Sequence, residues 1–390
     1  MIWENNIMGM VSAKDWLDVG GIVQRPNDPI DGLFGDDKTN NLVAAWHSIA
    51  SEYQIPMMAQ FHGFDTETKT TFRAPIDTHN IEKGLIKVKM NQSERLRELR
   101  RSGVTLDEEL RDFVFNDGIR LADQVVTRSK VAKNELMATG KVTIKENKLD
   151  LTVDYGVPEE NTSYTLDLSA EADIPTQIQT ILDKASEQGV VITGIMTSRR
   201  NITKMRGNKS IQTAVNGNVG AGAIVRNSAF EDFLNDEFGI TTVVTNDLIY
   251  GSDTTFVDGT DKIKPITKRY YPENKVTFFA TNPGGKLGIG LWGNPPELEA
   301  AQFMDVTGSG VSPYVYVSQW AENDPAVLWT KASALFMPVL YNPNSLFIAT
   351  VQEADAGDDA GDDAGGDTGG DTGDEGAGGE EDTGDEEAGA

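Results

Sequence analysis

Two glycine-rich stretches in this chain resemble loops that bind phosphates or nucleotides. In NPGGKLGIGLWG, the residues Gly284–Lys286 suggest a P-loop, but such a loop needs Ser or Thr after the lysine to hold magnesium, and Leu287 stands there. In GNVGAGAIV, residues 217–225, the glycines miss the G-x-G-x-x-G order of a dinucleotide-binding turn. Both stretches are more typical of ordinary turns.

Side chains that serve as nucleophiles, bases or metal ligands are sparse. The absence of cysteine excludes disulfides and thiolate metal sites, and it favours a cytosolic origin. His47, His62 and His79 lack the His-x-x-x-His spacing of a zinc site, and residues 307–310 lack the G-x-S-x-G elbow of a hydrolase. The acidic run 107–109 is typical of a solvated first helical turn. We therefore predict no catalytic residue, no metal, no cofactor and no enzymatic activity.

The N-terminal half alternates between short apolar groups and turn formers. Residues 1–50 have the character of an arm, with a short helix predicted at LVAAWHSIASEY. Period-2 alternation in LIKVKM predicts a strand, and we expect residues 51–92 to form a long two-stranded excursion. Because an isolated hairpin is at best marginally stable in water, we expect it to pair with another subunit.

A long amphipathic helix follows the excursion. Thr105 and Glu108 form a capping-box pattern at its start, and Gly140 is a stop signal. Its apolar positions step by 4 or 7 residues and share one face: Leu110, Val114, Leu121, Val125, Ala132 and Leu136. Four basic residues are expected around its polar side: Arg120, Arg128, Lys130 and Lys133.

Strands and helices then alternate without a single period. We predict a hairpin from KVTI and LDLTVDY, a helix in DIPTQIQTILDKASEQG and a buried strand in VVITGIMTS. A second helix, RRNITKMRGNKSIQTAV, carries a basic run, and a third is FEDFLNDEFG. Further strands are ITTVVTNDLIY, KVTFFATNP, YVYVSQW and SLFIATV, with a short helix opening at Asp324-Pro325. The pattern is α+β, and the chain is long enough for two or so hydrophobic cores.

The chain ends in a segment that cannot build a core. Residues 353–390 contain 16 acidic and no basic residues, out of a formal net charge of −27 for the whole chain. We predict a disordered acidic tail. No apolar run approaches the roughly 18 residues that span a bilayer, and MIWENNIMGM lacks the features of a secretory signal, so we expect the soluble phase.

Three stretches in order carry a resemblance to a known family. They are NELMATGKVTI from Asn134, VITGIMTS from Val191, and DPAVLWTKASALFMPVLYNPNSLFIATV from Asp324. Together they resemble the major capsid proteins of tailed bacteriophages, specifically the lambda-type capsid E family, which shares the Hong Kong-97 phage capsid fold. The likeness covers most of residues 40–352.

The resemblance implies a fold, a division of the chain and a function. It implies an N-terminal arm (1–50), an extended loop (51–92), a peripheral domain with a spine helix (93–170 and 331–352) and an axial domain (171–330). The acidic tail (353–390) departs from the usual pattern of the family. It implies hexamers and pentamers that close into an icosahedral virion shell around double-stranded DNA. The implied partners are further copies, portal, scaffold and decoration proteins, with assembly in the host cytoplasm and no membrane.

Basic residues on two predicted helices are candidates for contact with DNA or with neighbouring subunits. The set is Arg120, Arg128, Lys130, Lys133, Arg199, Arg200, Lys204, Arg206 and Lys209. Two alternatives stay open for the function. One is a nanocompartment shell of the same fold, which encloses a cargo enzyme instead of DNA. The other is a soluble enzyme with an acidic solubility tail.

Overall fold

The computed structural model describes residues 28–48, 58–59, 61–62, 64, 67, 73, 77–92, 107–217, 222–256, 263–300, 308–312, 314–323 and 326–352. Its helices are α1 (Ile30–Leu33), α2 (Asp107–Thr139), α3 (Glu159–Thr162), α4 (Ile174–Glu187), α5 (Arg199–Gly207), α6 (Lys209–Asn216), α7 (Asn227–Phe238) and α8 (Pro296–Ala300). A short 3-10 helix spans Pro343–Ser345. The acidic tail predicted at 353–390 lies outside the described residues.

The strands cover the rest of the regular structure. They are β1 (Phe34–Lys38), β2 (Val43–Ser48), β3 (Asp77–Glu82), β4 (Gly84–Gln92), β5 (Lys141–Glu146), β6 (Leu149–Asp154), β7 (Tyr164–Asp167), β8 (Gly194–Thr197), β9 (Thr242–Thr245), β10 (Ile249–Phe256), β11 (Ile263–Arg269), β12 (Lys275–Phe279), β13 (Gly288–Gly293), β14 (Gly308–Ser312), β15 (Val315–Asn323), β16 (Ala326–Leu340) and β17 (Leu346–Gln352). Helices and strands are mixed along the chain, so the predicted α+β class is confirmed.

Helix α2 runs over 33 residues and confirms the predicted long helix. The described side chains of its predicted apolar face are buried: Leu121, Val125, Ala132 and Leu136. The predicted capping residue Thr105 and the side chains of Leu110, Val114 and Glu108 lie outside the described residues. The helix ends at Gly140, which has a left-handed φ of 71° and donates its N–H to the Leu136 carbonyl oxygen at 2.8 Å.

The six-stranded sheet is organised around β16, and α2 packs across it. Strand β16 pairs antiparallel with β15 along its first half and with β13 along its second half, while β4 lies along its other edge. Strand β1 joins β13 in parallel, and β14 extends the sheet beyond β15. Apolar residues of α2 and of the sheet form the first hydrophobic cluster, to which each fully buried large side chain contributes about 1.5–3 kcal/mol.

The helix predicted to open at Asp324-Pro325 is wrong, because residues 326–340 form β16. The run AVLWTKASALFMPVL is buried along most of its length between two neighbouring strands and α2. Continuous apolar runs carry no clear periodicity, so they do not by themselves separate a buried strand from a helix. Tertiary pairing with β15 and β4 decided the conformation.

Two predictions near the N-terminus are also wrong. The segment LVAAWHSIASEY is not helical where it is described, since Val43–Ser48 is strand β2, paired with β3. The strand of LIKVKM does form, but its register partner is β16 of the same chain, as in the pair Leu85↔Leu335. It is therefore a strand of the subunit's own sheet. Most of the rest of the predicted excursion, in residues 51–76, lies outside the described residues.

The second sheet has the order β7-β17-β12-β8-β9. Helices α4 to α7 contribute to the second hydrophobic cluster with residues such as Ile178, Phe230 and Leu234. Strand β12 shows how the sheet joins both cores, because Phe278 belongs to the second cluster and Phe279 to the first. Beside them, the Thr277 hydroxyl donates to the Met137 carbonyl oxygen of α2 at 2.7 Å.

Several elements in and around the second sheet are shorter than the sequence predicted. The segment RRNITKMRGNKSIQTAV forms two helices, α5 and α6, because the Asn208 side chain accepts from the Ser210 amide at 2.9 Å and caps a new helix. The predicted strand ITTVVTNDLIY divides at Asn246 into β9 and β10, which belong to different sheets. Of the predicted strand VVITGIMTS, only Gly194–Thr197 forms a strand, which is β8. The predicted helices α4 and α7, the β5–β6 hairpin and strands β12, β15 and β17 are confirmed.

Candidate functional site

The stretch that resembled a P-loop is a tight turn between β12 and β13. The Asn282 side chain accepts from the Gly284 and Lys286 amides at 3.0 and 2.9 Å, and the Lys286 ammonium donates to the Gly32 carbonyl oxygen at 2.7 Å. The lysine thus ties the turn to the N-terminal segment. The other glycine-rich stretch and Thr307 lie partly or wholly outside the described residues.

The histidines occupy separate places where they are described. His62 is exposed, His79 stacks on Trp46 with ring centroids 5.2 Å apart, and the His47 side chain lies outside the described residues. Within the described ranges, no cluster of three or more His, Asp and Glu residues is arranged to hold a metal ion. Over the same ranges, no helix is both long and apolar enough to cross a membrane.

The basic residues predicted on the polar side of α2 divide into surface and interior positions. Arg120 is exposed, and Arg128 forms an ion pair with Glu146 at 3.0 Å. Lys130 and Lys133 are buried, so their predicted surface position is wrong. Their partners are carboxylates of the segment that precedes and forms β1. The helical period predicted on which side of α2 these lysines lie. It did not predict that the segment carrying Asp31 and Asp36 covers that side of the helix.

The basic run of α5 and α6 is mostly engaged with acids of the same subunit. Arg199 lies 3.8 Å from Asp247, Arg200 lies 3.4 Å from Glu273, and Lys209 pairs with Glu171. Arg206 donates to the Val225 carbonyl oxygen at 2.6 Å, and Lys204 is half-buried. The side chains of Arg199 and Arg200 are 84% and 61% exposed. Such exposed pairs contribute little to stability and leave the arginines accessible.

A buried polar network fastens the N-terminal segment to α2, and sequence analysis missed it. The Asn246 amide donates to Asp28 at 3.0 Å and to Asn134 at 2.9 Å, while the Ile30 N–H donates to Asp28 at 3.1 Å. Asp28, Asn134 and Asn246 are each at most 3% exposed. The one sequence signal was Asp28 before proline, a residue pair typical of turn initiation.

An ionic part of the same junction is formed by Lys130 and Lys133, which precede Asn134 on α2. The Lys133 ammonium is 2.9 Å from Asp36 and 3.5 Å from Asp31, and Lys130 is 3.0 Å from Asp31. Asp36 also accepts from the Trp292 indole N–H at 2.8 Å. Charge-assisted hydrogen bonds of this kind are roughly twice as strong as neutral ones, so α2, β1 and β13 are held in one register.

Lys83 is a third buried lysine, at the junction of β3 and β4. It is 4% exposed, and its ammonium donates to the carbonyl oxygens of Thr39 and Trp292 at 3.0 and 3.1 Å. Burial lowers the pKa of Lys83 below its ordinary value. The lysine therefore joins the β3–β4 junction to β13 and to the connection between β1 and β2 through backbone carbonyl oxygens.

Asp28 gives a prediction for the pH dependence of stability. Burial raises the pKa of Asp28, against the opposing effects of the Ile30 N–H and Lys130. Because the folded pKa exceeds the unfolded one, this stabilising contribution is complete below the unfolded pKa and is lost as pH rises through the folded pKa. The unfolding free energy of Asp28→Asn minus that of the wild type therefore increases as pH rises above 3.8. Urea unfolding at several pH values measures this difference, and a difference independent of pH would contradict the prediction.

The described geometry consists of a long helix across one sheet, a second sheet with its own helices, and buried pairs that fix the N-terminal segment to the long helix. A prophage protein from E. coli CFT073 described as a capsid protein has this fold, with a TM-score of 0.51 and 14% identity over 87% of this chain and 99% of that chain. A phage-related protein from Bordetella bronchiseptica RB50 aligns at 9% identity over 87% of this chain and 97% of that chain, with a TM-score of 0.49. The fold is therefore shared with the E. coli prophage protein.

A family model for phage major capsid protein E matches residues 62–351. The chain belongs to that family, and it is a major capsid protein of a tailed bacteriophage, a component of the virion shell that assembles from many copies of itself. A search among curated proteins finds no match. The predicted resemblance is confirmed, and the nanocompartment alternative has less support than the phage capsid.

Proposed function

We propose that this chain assembles as hexamers and pentamers that close into an icosahedral shell around packaged double-stranded DNA. The observation that carries the proposal is the family match across residues 62–351. Assembly in the host bacterial cytoplasm, with portal, scaffold and decoration proteins as partners, belongs to the same proposal. The chain's role is structural and not enzymatic.

The two cores support a division of the subunit into peripheral and axial parts. We assign α2 as the spine helix of the peripheral domain, and the five-stranded sheet with α4 to α7 as the axial domain. This assignment moves β7 and β17 out of the peripheral ranges 93–170 and 331–352 that the resemblance implied. Residues 1–50 are assigned as the arm and 51–92 as the extended loop. Strands β13 to β15 share the sheet that carries α2, which favours grouping them with the peripheral domain.

Size-exclusion chromatography with negative-stain microscopy tests the shell. The expected result is closed particles tens of nanometres across when the full chain is expressed with its scaffold and protease. A subunit that stays a monomer or dimer under those conditions would refute the proposal.

Among the basic candidates, the exposed Arg199 and Arg200 are best placed to meet packaged DNA or a neighbouring subunit. Contacts with phosphates release counterions, so DNA affinity would fall steeply with salt. Charge reversal of both arginines separates these roles. Particle yield and the amount of packaged DNA are measured for the variant and the wild type at two salt concentrations. Loss of packaged DNA at unchanged particle yield supports DNA contact, whereas loss of particles supports an inter-subunit role.

We also propose that the acidic tail lies on the outer surface of the shell. Its 16 acidic residues per copy would repel packaged DNA if they lay inside, and screening over about 8 Å only softens this repulsion. Brief protease treatment of intact particles is expected to remove the tail and leave the body of the chain intact. A tail that resists cleavage in particles while free subunits are trimmed would place it inside.

A further inference from the structure

Four buried oxygen atoms without a hydrogen-bond partner lie together where β13 leads into α8. Within the part of the chain that the structure describes, five buried side-chain polar atoms have no partner: Trp46 Nε1, Asn294 Oδ1, Glu297 Oε2, the Tyr316 hydroxyl and Ser333 Oγ. All but the indole nitrogen lie on β15, β16, α8 or the residue after β13. Because nearly all buried polar groups in folded proteins are paired, this grouping indicates a site.

The register of the sheet brings these residues together. Strands β13 and β15 follow one another along the same edge of β16. At the end of β13, Gly293 lies opposite Leu335, and at the start of β15, Tyr316 lies opposite Ser333. The two partner positions on β16 are separated by roughly 7 Å. Asn294 therefore leaves the sheet next to the place where Tyr316 enters it.

The hydroxyl groups lie on the face of the sheet that is turned away from α2. Ala332 and Ala334 belong to the hydrophobic cluster that α2 shares with the sheet. Successive strand residues point to opposite faces, so Ser333 points to the other face, and its partner Tyr316 shares that face. Both residues are at most 1% exposed, so bulk solvent does not reach them.

Helix α8 is held on this face by an ion pair. Glu297 Oε1 accepts from the Lys331 ammonium, and Lys331 lies two residues before Ser333 on β16. Burial alone would raise the pKa of Glu297, but the Lys331 ammonium and the nearby Ser333 hydroxyl help to hold that pKa below its ordinary value. The carboxylate is therefore ionised at neutral pH, and its second oxygen is a strong acceptor close to Ser333.

The chemistry of the site favours water over a metal ion. The charge of Glu297 is balanced by Lys331, so a bound cation would add an uncompensated buried charge beside an ammonium group. The two hydroxyls can donate or accept, whereas Asn294 Oδ1 and Glu297 Oε2 can only accept. Water donates and accepts, and a buried water molecule typically makes about three hydrogen bonds to groups of this kind.

The energetic cost of a dry site leads to the same conclusion. Each unpaired buried polar group carries a desolvation penalty, and four such penalties together are a large part of the net stability of a domain. Because the four atoms lie close together, a few water molecules can satisfy all of them.

We propose that a small cluster of bound water molecules occupies this site. It bridges the hydroxyls of the sheet to the oxygen atoms of Asn294 and Glu297, and so fastens the β13–α8 connection to the sheet face opposite α2. The inference concerns the single subunit and does not depend on the proposed shell function.

Tyr316→Phe and Ser333→Ala test the bridges in the unassembled full-length chain. If water bridges the hydroxyls, each substitution removes a hydrogen bond and should lower the urea unfolding midpoint by about 0.3 M. A dry hydroxyl would behave in the opposite way, because its removal relieves a desolvation penalty. An unchanged or raised midpoint in either variant overturns the proposal.

The double variant distinguishes a shared cluster from two separate bonds. Water that bridges both hydroxyls is already disturbed by the first substitution, so the double variant should shift the midpoint by clearly less than the sum of the single shifts. Thr277→Val is the matched control partner, because the Thr277 hydroxyl, in the second sheet, bonds the Met137 carbonyl oxygen directly. Its shift should add fully to that of Tyr316→Phe. Full additivity of Tyr316→Phe with Ser333→Ala would refute a shared cluster.

Two measurements on the wild-type chain identify the ligand. A high-resolution experimental structure should show solvent density within hydrogen-bonding distance of the Tyr316 and Ser333 hydroxyls, and a site without density overturns the proposal. The unfolding midpoint should be the same in sodium, potassium, magnesium and calcium chloride at equal ionic strength. A rise that one cation produces and Tyr316→Phe abolishes would assign the site to that ion instead of water.

Discussion

Replacing Lys133 with alanine should lower the free energy of unfolding of the unassembled subunit by about 3 kcal/mol. The ammonium is 1% exposed and bonds Asp36 at 2.9 Å, so its removal leaves the partly buried Asp36 carboxylate without its cation, whereas Asp31 keeps Lys130 at 3.0 Å. Partial exposure of Asp36 keeps the loss near the lower end of the range for broken buried pairs. Urea unfolding followed by circular dichroism measures the change.

Arg120→Ala is the matched control, because Arg120 lies exposed on the same helix and should leave the unfolding midpoint nearly unchanged. The double variant Lys133→Met with Asp36→Asn should recover part of the loss, since it removes both charges and retains the packing of the stem. If Lys133→Ala unfolds at the wild-type midpoint, the buried pair does not hold the N-terminal segment to the helix.

The parts of the fold that sequence analysis predicted are those with local causes. Helix α2 has a long apolar face and a glycine stop, and the β5–β6 hairpin has a turn at Asn147 and Lys148, both with positive φ. Helix α4 is capped by Asp173, whose side chain accepts from the Thr176 amide. Each signal lies within a few residues of the element that it specifies.

The missed parts depend on partners distant in sequence. Strand β2 and the first half of β16 carry apolar runs compatible with either conformation, and only pairing with β3, β4 and β15 decided them. The buried position of Lys133 likewise depends on Asp31 and Asp36, about a hundred residues upstream. A helical wheel gives the direction of a side chain but does not show what covers it.

Gly288→Ala should destabilise the subunit by about 3 kcal/mol or more, because the added methyl group has no space in the sheet. Gly288 begins β13 between β1 and β16, with partners Phe34 and Leu340. A Cβ there would lie 2.2 Å from the Val339 carbonyl oxygen and 2.6 Å from the Phe34 ring. The carbonyl belongs to the backbone of a central strand, so relief requires the strands to separate.

Gly35→Ala is a closely matched control for this substitution. Gly35 lies in the neighbouring strand β1, paired with Ile289, and a Cβ added there meets no atom within 4 Å. Alanine also loses less conformational freedom on folding than glycine, so Gly35→Ala should be neutral or stabilising by up to about 1 kcal/mol. The urea unfolding midpoints of the two variants are compared to measure the difference in stability. Particle yield then shows the effect on assembly, because β13 links the N-terminal segment to the strand on which α2 packs. Equal midpoints for the two variants would mean that β13 is not held as closely between its neighbours as the geometry requires.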